Sequence, residues 1–119
     1  MKLSENGFLD YILECLEPMD GITWGRMFSG YVIRRYDLPI GLIFDEELYF
    51  KVNHRNLADY QSLLSEPFSY QKKGKTISIS NWRVPAEILE DIDTFICWAH
   101  KAYLAVSYTH LRAHETRGN

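Results

Sequence analysis

The sequence is poor in cysteine and in long apolar runs, and each shortage argues against particular classes of protein. Its two cysteines, Cys15 and Cys97, lack the close spacing of metal-ligand pairs. No stretch approaches the roughly 20 apolar residues of a membrane-spanning helix, and the first residues lack the apolar centre of a signal peptide. Because nothing in the sequence requires a disulfide, we expect a cytoplasmic protein without a metal or other cofactor.

An excess of positive charge is also missing. The 119 residues carry a net charge of −3, with an isoelectric point near 5.8. General affinity for DNA phosphates depends on clustered positive charge, so this balance argues against it, although it is compatible with a local basic patch. The length predicts one domain, and an apolar fraction of 46% is enough for a single core.

None of the common catalytic motifs is present: there is no glycine-rich phosphate loop, no nucleophile elbow and no paired-histidine helix motif. The nearest approach to an activated thiol is Cys97, which would be a helical neighbour of His100 and Lys101. An exposed helix face provides neither a pocket nor an oxyanion site. We therefore expect a protein that is not an enzyme, with no catalytic and no metal-binding residues.

The end of the sequence differs in character from the rest. Residues 106–116 resemble the translation of a transposon-type sequencing-library adapter, and an ordinary frayed tail is the alternative. We expect a domain over residues 1–105 and treat 106–119 as a non-native tail. A metal site built from His110 and His114 is discounted for the same reason.

Hydrophobic periodicity and turn residues divide the chain into helices and strands. The predicted elements are a helix over 4–17 capped by Ser4, strands over 28–36, 40–44 and 48–52, a helix that begins at Asn53, a hairpin of strands 68–72 and 75–81, and a helix that begins at Pro85. Turns are expected at 37–39, at 45–47 and at 73–74. The order of helix, three antiparallel strands, helix, two-strand hairpin and helix indicates a two-layer α+β domain, with the helices largely on one face of the sheet.

The same periods predict which side chains are buried. Alternation places Leu48, Phe50 and Val52 on one face of the sheet and the adjacent Arg34 and Arg35 on opposite faces. The first helix is expected to bury Phe8, Tyr11, Ile12, Cys15 and Leu16, the second Leu57, Tyr60 and Leu64, and the last Ile88, Ile92, Phe95, Trp98, Ala99 and Ala102. Cys15 is accordingly interpreted as a small buried hydrophobic residue.

The tip of the predicted hairpin carries the best signal for nucleic-acid binding. Lys72, Lys73 and Lys75 surround Gly74, with Tyr70 nearby. An aromatic ring can stack on a base while lysines contact phosphates. Lysines at a sheet edge also discourage aggregation, and we favour that structural role over direct binding.

The most specific stretch of the sequence is residues 26–31, Arg-Met-Phe-Ser-Gly-Tyr. It is supported by Leu-Tyr-Phe-Lys at 48–51, Pro-Phe-Ser-Tyr at 67–70, Lys-Gly-Lys at 73–75, Leu-Glu-Asp at 89–91 and Trp98. Together these residues resemble the N-terminal domain of the TfoX/Sxy family of bacterial competence regulators, over almost all of residues 5–105. Ser29 departs from the glycine that is usual there, and Ile92 from a frequent proline.

The resemblance implies a secretion-chaperone-like α+β fold and a non-enzymatic role in switching on DNA-uptake genes. It also implies a transcription protein, the cyclic-AMP receptor protein, as the partner. The candidate interaction residues are Arg26, Met27, Phe28, Gly30, Tyr31, Lys51, Tyr70, Lys72, Lys73 and Lys75. For residues 26–31 we favour a structural role, with Met27 and Phe28 in the core and Gly30 allowing close packing.

Other functions stay open beside this one. Direct nucleic-acid binding through residues 72–75 predicts a steep salt dependence. A small-molecule binder requires a concave site with convergent polar groups, which a sequence does not display. A membrane partner is not expected, and free sheet edges leave a homodimer open.

Overall fold

The computed structural model describes residues 7–27 and 29–117, the last nine of them in backbone only. The helices are Gly7–Cys15 (α1), Leu57–Gln61 (α2), Ala86–Leu89 (α3) and Ile92–Arg117 (α4). The strands are Ile22–Met27 (β1), Gly30–Arg35 (β2), Leu38–Phe44 (β3), Glu47–Lys51 (β4), Pro67–Lys72 (β5) and Lys75–Arg83 (β6). The predicted α+β class is confirmed. The more specific likeness to secretion chaperones stays a prediction.

The strands form a single antiparallel sheet in the order β1-β2-β3-β4-β6-β5. The sheet has six strands where five were predicted, because Ile22–Met27 is itself a strand. Met27 pairs with Gly30, so the chain reverses inside the stretch that was predicted to start a strand at residue 28. Phe28 lies outside the described residues.

Two tight turns join β2 to β3 and β3 to β4. Tyr36 and Asp37 occupy the first, Asp45 and Glu46 the second, and all four residues have positive φ angles between 49° and 69°. Positive φ at both central residues is typical of the two-residue hairpin turns that match the twist of a sheet. The turn at 45–47 is therefore confirmed in a shorter form. The turn predicted at 37–39 was placed too late, because Pro39 already lies in β3.

The last helical segment is broken into α3 and α4, where one helix from Pro85 was predicted. Asp91 lies at the break, and its carboxylate accepts hydrogen bonds from the hydroxyl of Thr94 at 2.8 Å and from the backbone N–H of Thr94 at 3.4 Å. This side-chain cap starts a new helix. Ile92 consequently faces solvent, with 45% of its surface exposed, and its predicted place in the buried stripe is wrong.

The first two helices also differ from the prediction. α1 ends at Cys15, two residues before the predicted end, its buried residues include Leu9, and Tyr11 is exposed rather than buried. The predicted start over residues 4–6 and its cap Ser4 lie outside the described residues. α2 begins after Asn56, whereas Asn53 was expected to cap it. It ends at Gln61, so Leu64 falls beyond the helix and is 88% exposed.

The core lies between the helices and one face of the sheet. Phe50 of β4 stacks on Phe95 of α4 with ring centroids 5.6 Å apart, and Tyr60 of α2 packs on Trp98 at 4.4 Å. Burial stabilises the fold by roughly 1.5–3 kcal/mol for each large side chain. The predicted shared face of Leu48, Phe50 and Val52 is confirmed, since all three are buried.

α4 continues beyond residue 105, and Val106 is buried. The boundary proposed there between a domain and a non-native tail stays a prediction. Among the described residues, no helix combines the length and the apolar character needed to cross a bilayer.

Candidate functional site

The two faces of the sheet have different surroundings. The covered face carries Phe50 and its partner Trp82, on which α4 and α2 pack. We call the other side, where alternation places Val32, Leu42 and Tyr49, the open face. The prediction for the adjacent arginines is confirmed: Arg35 lies on the covered side, with its guanidinium 4.8 Å from the Tyr103 ring, and Arg34 lies on the open side.

A cavity of about 550 Å³ opens on the open face. Its apolar lining includes Met27, Val32, Leu42 and Ile79, which come from four different strands. Leu38, Pro39 and Gly41 complete the apolar part on the sheet, and Val106 of α4 extends the lining beyond the open face. The polar part consists of Arg34, Lys51 and Asn81.

The two cations of the cavity have few partners in the described part of the chain. The Nζ of Lys51 donates a hydrogen bond to the Oγ of Ser80 at 2.7 Å. The guanidinium of Arg34 lies over Gly25, where its Nη1 would be 3.1 Å from an added Cβ. Neither cation forms an ion pair with a described carboxylate, and no acidic residue is among the lining residues.

A row of aromatic side chains continues the open face towards β5. The ring of Phe68 lies 5.5 Å from Phe44, 4.9 Å from Tyr49 and 6.2 Å from Tyr70. We call these four residues the aromatic row. Phe44 and Tyr70 are exposed, and Tyr70 keeps 42% of its surface in solvent. Partial burial raises the pKa of the Tyr49 phenol above its ordinary value, so this ring stays neutral at physiological pH.

The predicted hairpin lysines lie at the end of the same edge. Lys72 pairs with Lys75 across the turn, and both are exposed together with Lys73. Lys73 and Gly74 have positive φ angles, as expected for a tight turn. β5 is an edge strand, so the three lysines border the exposed end of the aromatic row.

Arg26 and Met27 lie on β1, the opposite edge strand of the sheet, about 24 Å away by strand spacing, and Gly30 and Tyr31 lie on the adjacent β2. Arg26 is exposed, with its guanidinium 5.8 Å from the Tyr31 ring, and Tyr31 packs edge-on against Trp24. A side chain on Gly30 would collide with the carbonyl oxygen of Ile43. The predicted close packing at Gly30 is thus confirmed, whereas Met27 is only half-buried and lines the cavity.

The structure therefore separates the candidate interaction residues into three places. Met27 and Lys51 meet at the cavity, Tyr70 and the lysines lie at the β5 edge, and Arg26 and Tyr31 lie at the β1 edge. Sequence reasoning missed Arg34, Asn81 and most of the aromatic row as site residues. The sequence did contain a signal for the open face, because β3 to β6 carry apolar residues at positions that alternation assigns to the outward side of the sheet.

Cys97 and its predicted helical neighbours His100 and Lys101 lie together on α4, outside the cavity of the open face. Cys97 and His100 are exposed, and the Nζ of Lys101 donates a hydrogen bond to Asp59 at 2.9 Å, which raises the pKa of Lys101. Burial raises the pKa of the Cys15 thiol, which disfavours a reactive thiolate. The described residues contain no cluster of side chains that could hold a metal ion. The side chains of His110 and His114 lie outside the described residues.

The described residues form a small α+β domain with an apolar open face, a cationic cavity and exposed aromatic rings, surface features that commonly mark binding sites. The sequence model of the TfoX N-terminal domain family matches residues 14–106, which is most of the chain. The protein therefore belongs to this family. The resemblance inferred from residues 26–31 and their supporting segments is thereby confirmed. The TfoX N-terminal domain family is a competence-regulator family and is not known to be catalytic. A search of curated proteins finds no match.

Proposed function

We propose that this domain is a non-enzymatic interaction module that acts in transcriptional regulation by binding a protein partner. The observation that carries the proposal is the aromatic row on the open face, with Phe44 and Tyr70 exposed. Tyrosine and phenylalanine are enriched at protein interfaces, where they bury large areas at a small entropic cost. The outward face of an antiparallel sheet is usually polar, so an outward row of aromatic rings favours a contact surface.

The charges near the aromatic row define the partner's chemistry. Lys72, Lys73 and Lys75 lie at its exposed end, and none of them forms an ion pair within the described residues. A partner with an apolar patch bordered by acidic residues would complement this surface. Membership of a competence-regulator family supports a transcription protein as that partner, and the cyclic-AMP receptor protein is the first to test.

The test is the affinity of the purified protein for the cyclic-AMP receptor protein, measured by biolayer interferometry after nuclease treatment. Tyr70→Ala should weaken binding about tenfold, the scale of an interface hot spot. Tyr36→Ala is the matched control, because Tyr36 is also an exposed tyrosine but lies in the β2–β3 turn. Equal affinity of the Tyr70 and Tyr36 variants would contradict the proposed surface.

Direct binding of single-stranded nucleic acid is the second candidate. Three exposed lysines and the exposed Tyr70 ring lie on one hairpin, an arrangement that suits phosphate contacts and base stacking. This function predicts that affinity falls steeply with salt concentration. Replacing Lys72, Lys73 and Lys75 by glutamine should then abolish binding to an oligonucleotide. Unchanged binding of this triple variant excludes the hairpin as the contact.

A further inference from the structure

We propose that the cavity on the open face binds a small amphipathic carboxylic acid. The carboxylate would be held by Arg34 and Lys51, and the apolar part would lie on Val32, Leu42 and Ile79. The Asn81 amide lies beside the two cations but already donates a hydrogen bond to the Tyr49 carbonyl at 3.3 Å, so the proposal rests on the cations. This proposal is independent of the proposed partner, because the exposed ends of the aromatic row and the hairpin lysines are not among the residues that line the cavity.

Strand register brings the three polar residues into one row. Arg34 on β2 pairs with Pro39 on β3, and Lys51 on β4 pairs with Asn81 on β6. Gly41 on β3 pairs with Phe50 on the antiparallel strand β4. Pro39 lies two residues before Gly41 and Lys51 one residue after Phe50, so Pro39 and Lys51 are at nearly the same level of the sheet. β2 and β4 are two strand spacings apart, or about 10 Å. Long cationic side chains at this separation can approach a single anionic group from two sides.

The charge around the cavity points to an anion. The whole chain carries a net charge of −3, yet the cavity combines two cations with no acidic lining residue. Cations in a concave, largely apolar surface attract an anion more strongly than the same groups on a flat surface, since water screens them less. Arg34 keeps its charge at every accessible pH, and its planar guanidinium fits the two oxygens of a carboxylate.

The apolar lining points to an organic body on that anion. A volume of about 550 Å³ lies within the range of about 300–1,000 Å³ that is typical of sites for small organic ligands. An inorganic anion would leave Val32, Leu42 and Ile79 without a contact. A neutral apolar molecule would cover the two cations without pairing them, which costs free energy. An amphipathic acid satisfies both halves of the cavity.

A smaller cavity beside α4 is a weaker candidate. It has a volume of about 200 Å³ and contains Arg55 and Lys101. Lys101 is already paired with Asp59, and the amide of Asn56 is used within the fold, where it accepts a hydrogen bond from the Asn53 N–H at 2.8 Å and donates one to the Lys51 carbonyl at 3.2 Å.

The experiment compares decanoate with decan-1-ol, which has the same chain length and no charge. Binding is measured by isothermal titration calorimetry, and amide chemical shifts locate the ligand. Decanoate should bind at least about tenfold more tightly than decan-1-ol, the scale expected for one charge-assisted contact. Chemical shifts should change at Val32, Leu42 and Ile79 and remain unchanged at Tyr70.

The charge-removing variants Arg34→Gln and Lys51→Gln should each weaken decanoate binding about tenfold and leave decan-1-ol binding unchanged. Lys73→Gln is the matched control, because it removes the same charge from an exposed site outside the cavity. Failure of decanoate to bind, equal binding of both ligands, shifts centred on Tyr70 or an equal effect of Lys73→Gln would each overturn the proposal. The comparison of the two ligands on the unaltered protein holds even if a variant fails to fold.

Discussion

The covered and open faces of the sheet are built from alternate residues of the same strands, yet their side chains have different surroundings. On β4, Phe50 is fully buried against Phe95, whereas its neighbour Tyr49 is half-buried among the rings of the open face. On β3, Ile43 is buried in the core and Leu42 lines the cavity. Apolar side chains thus occur on both sides, but helices pack on the covered one.

This difference separates stability from binding. A buried residue of the covered face contacts many others, so its loss leaves a cavity in the core. An exposed residue of the open face, such as Phe44 or Tyr70, has fewer contacts to lose within the domain. We therefore expect substitutions on the covered face to affect mainly the free energy of unfolding, and those on the open face to affect mainly binding.

The largest expected effect is that of Phe50→Ala. Deleting this fully buried ring should lower the free energy of unfolding by about 3–5 kcal/mol, because the core cannot close around the space. Urea denaturation followed by circular dichroism measures the change. Tyr70→Ala on the open face is the control and should lie within about 0.5 kcal/mol of the unaltered protein. Similar losses at both sites would remove the distinction between the faces.

Gly30→Ala should have the next largest effect. The new Cβ would collide with the Ile43 carbonyl oxygen, and the required shift of two paired strands should cost about 1–3 kcal/mol. Gly7→Ala makes the same chemical change where nothing lies within 4 Å of the new atom. It should leave the thermal midpoint unchanged or slightly raised. A harmless Gly30→Ala would show that the edge of the sheet adapts easily.

Tyr60→Phe should stabilise the covered side by about 1 kcal/mol. The Tyr60 hydroxyl is buried and has no hydrogen-bond partner among the described residues, an arrangement that costs free energy. Burial also raises the pKa of Tyr60 above its ordinary value of 10. The phenol ionises more readily in the unfolded chain, so the unaltered protein should lose stability as pH rises above 10.

Urea denaturation at pH 7 and at pH 10.5 tests both parts of this expectation. The advantage of the Tyr60→Phe variant should be larger at the higher pH, because only the unaltered protein has this phenol to ionise on unfolding. A variant less stable than the unaltered protein at pH 7 would indicate that the hydroxyl has a partner in solution.

The smallest expected effect concerns the ion pair between Lys101 and Asp59. The Nζ of Lys101 and the Oδ2 of Asp59 are 2.9 Å apart, but the two side chains are 42% and 31% exposed. Asp59→Asn should therefore cost at most about 0.5 kcal/mol, and less in 1 M salt. A loss several times larger would mean that the covered side depends on charge as well as on apolar packing. Thermal denaturation at two salt concentrations makes the comparison.

Local pattern was sufficient for much of the fold. The alternation of Leu48, Phe50 and Val52 identified a strand with one buried face, and Lys73-Gly74 identified a hairpin turn. Local pattern failed where one residue type is compatible with two different local structures. A strand was predicted to start at residue 28, although Met27 already pairs with Gly30, and the cap that the Asp91 carboxylate provides for α4 was not predicted.

The sequence by itself determined the class of the domain, its family and the inward face of its strands, because these depend on periodicity and on short motifs. The tertiary structure alone decided what lies together on the open face. Arg34, Lys51 and Asn81 are distant in sequence and share a row because β6 pairs with β4. The pairing of distant strands is set by the packing of the whole domain, so no local sequence pattern predicts the cavity.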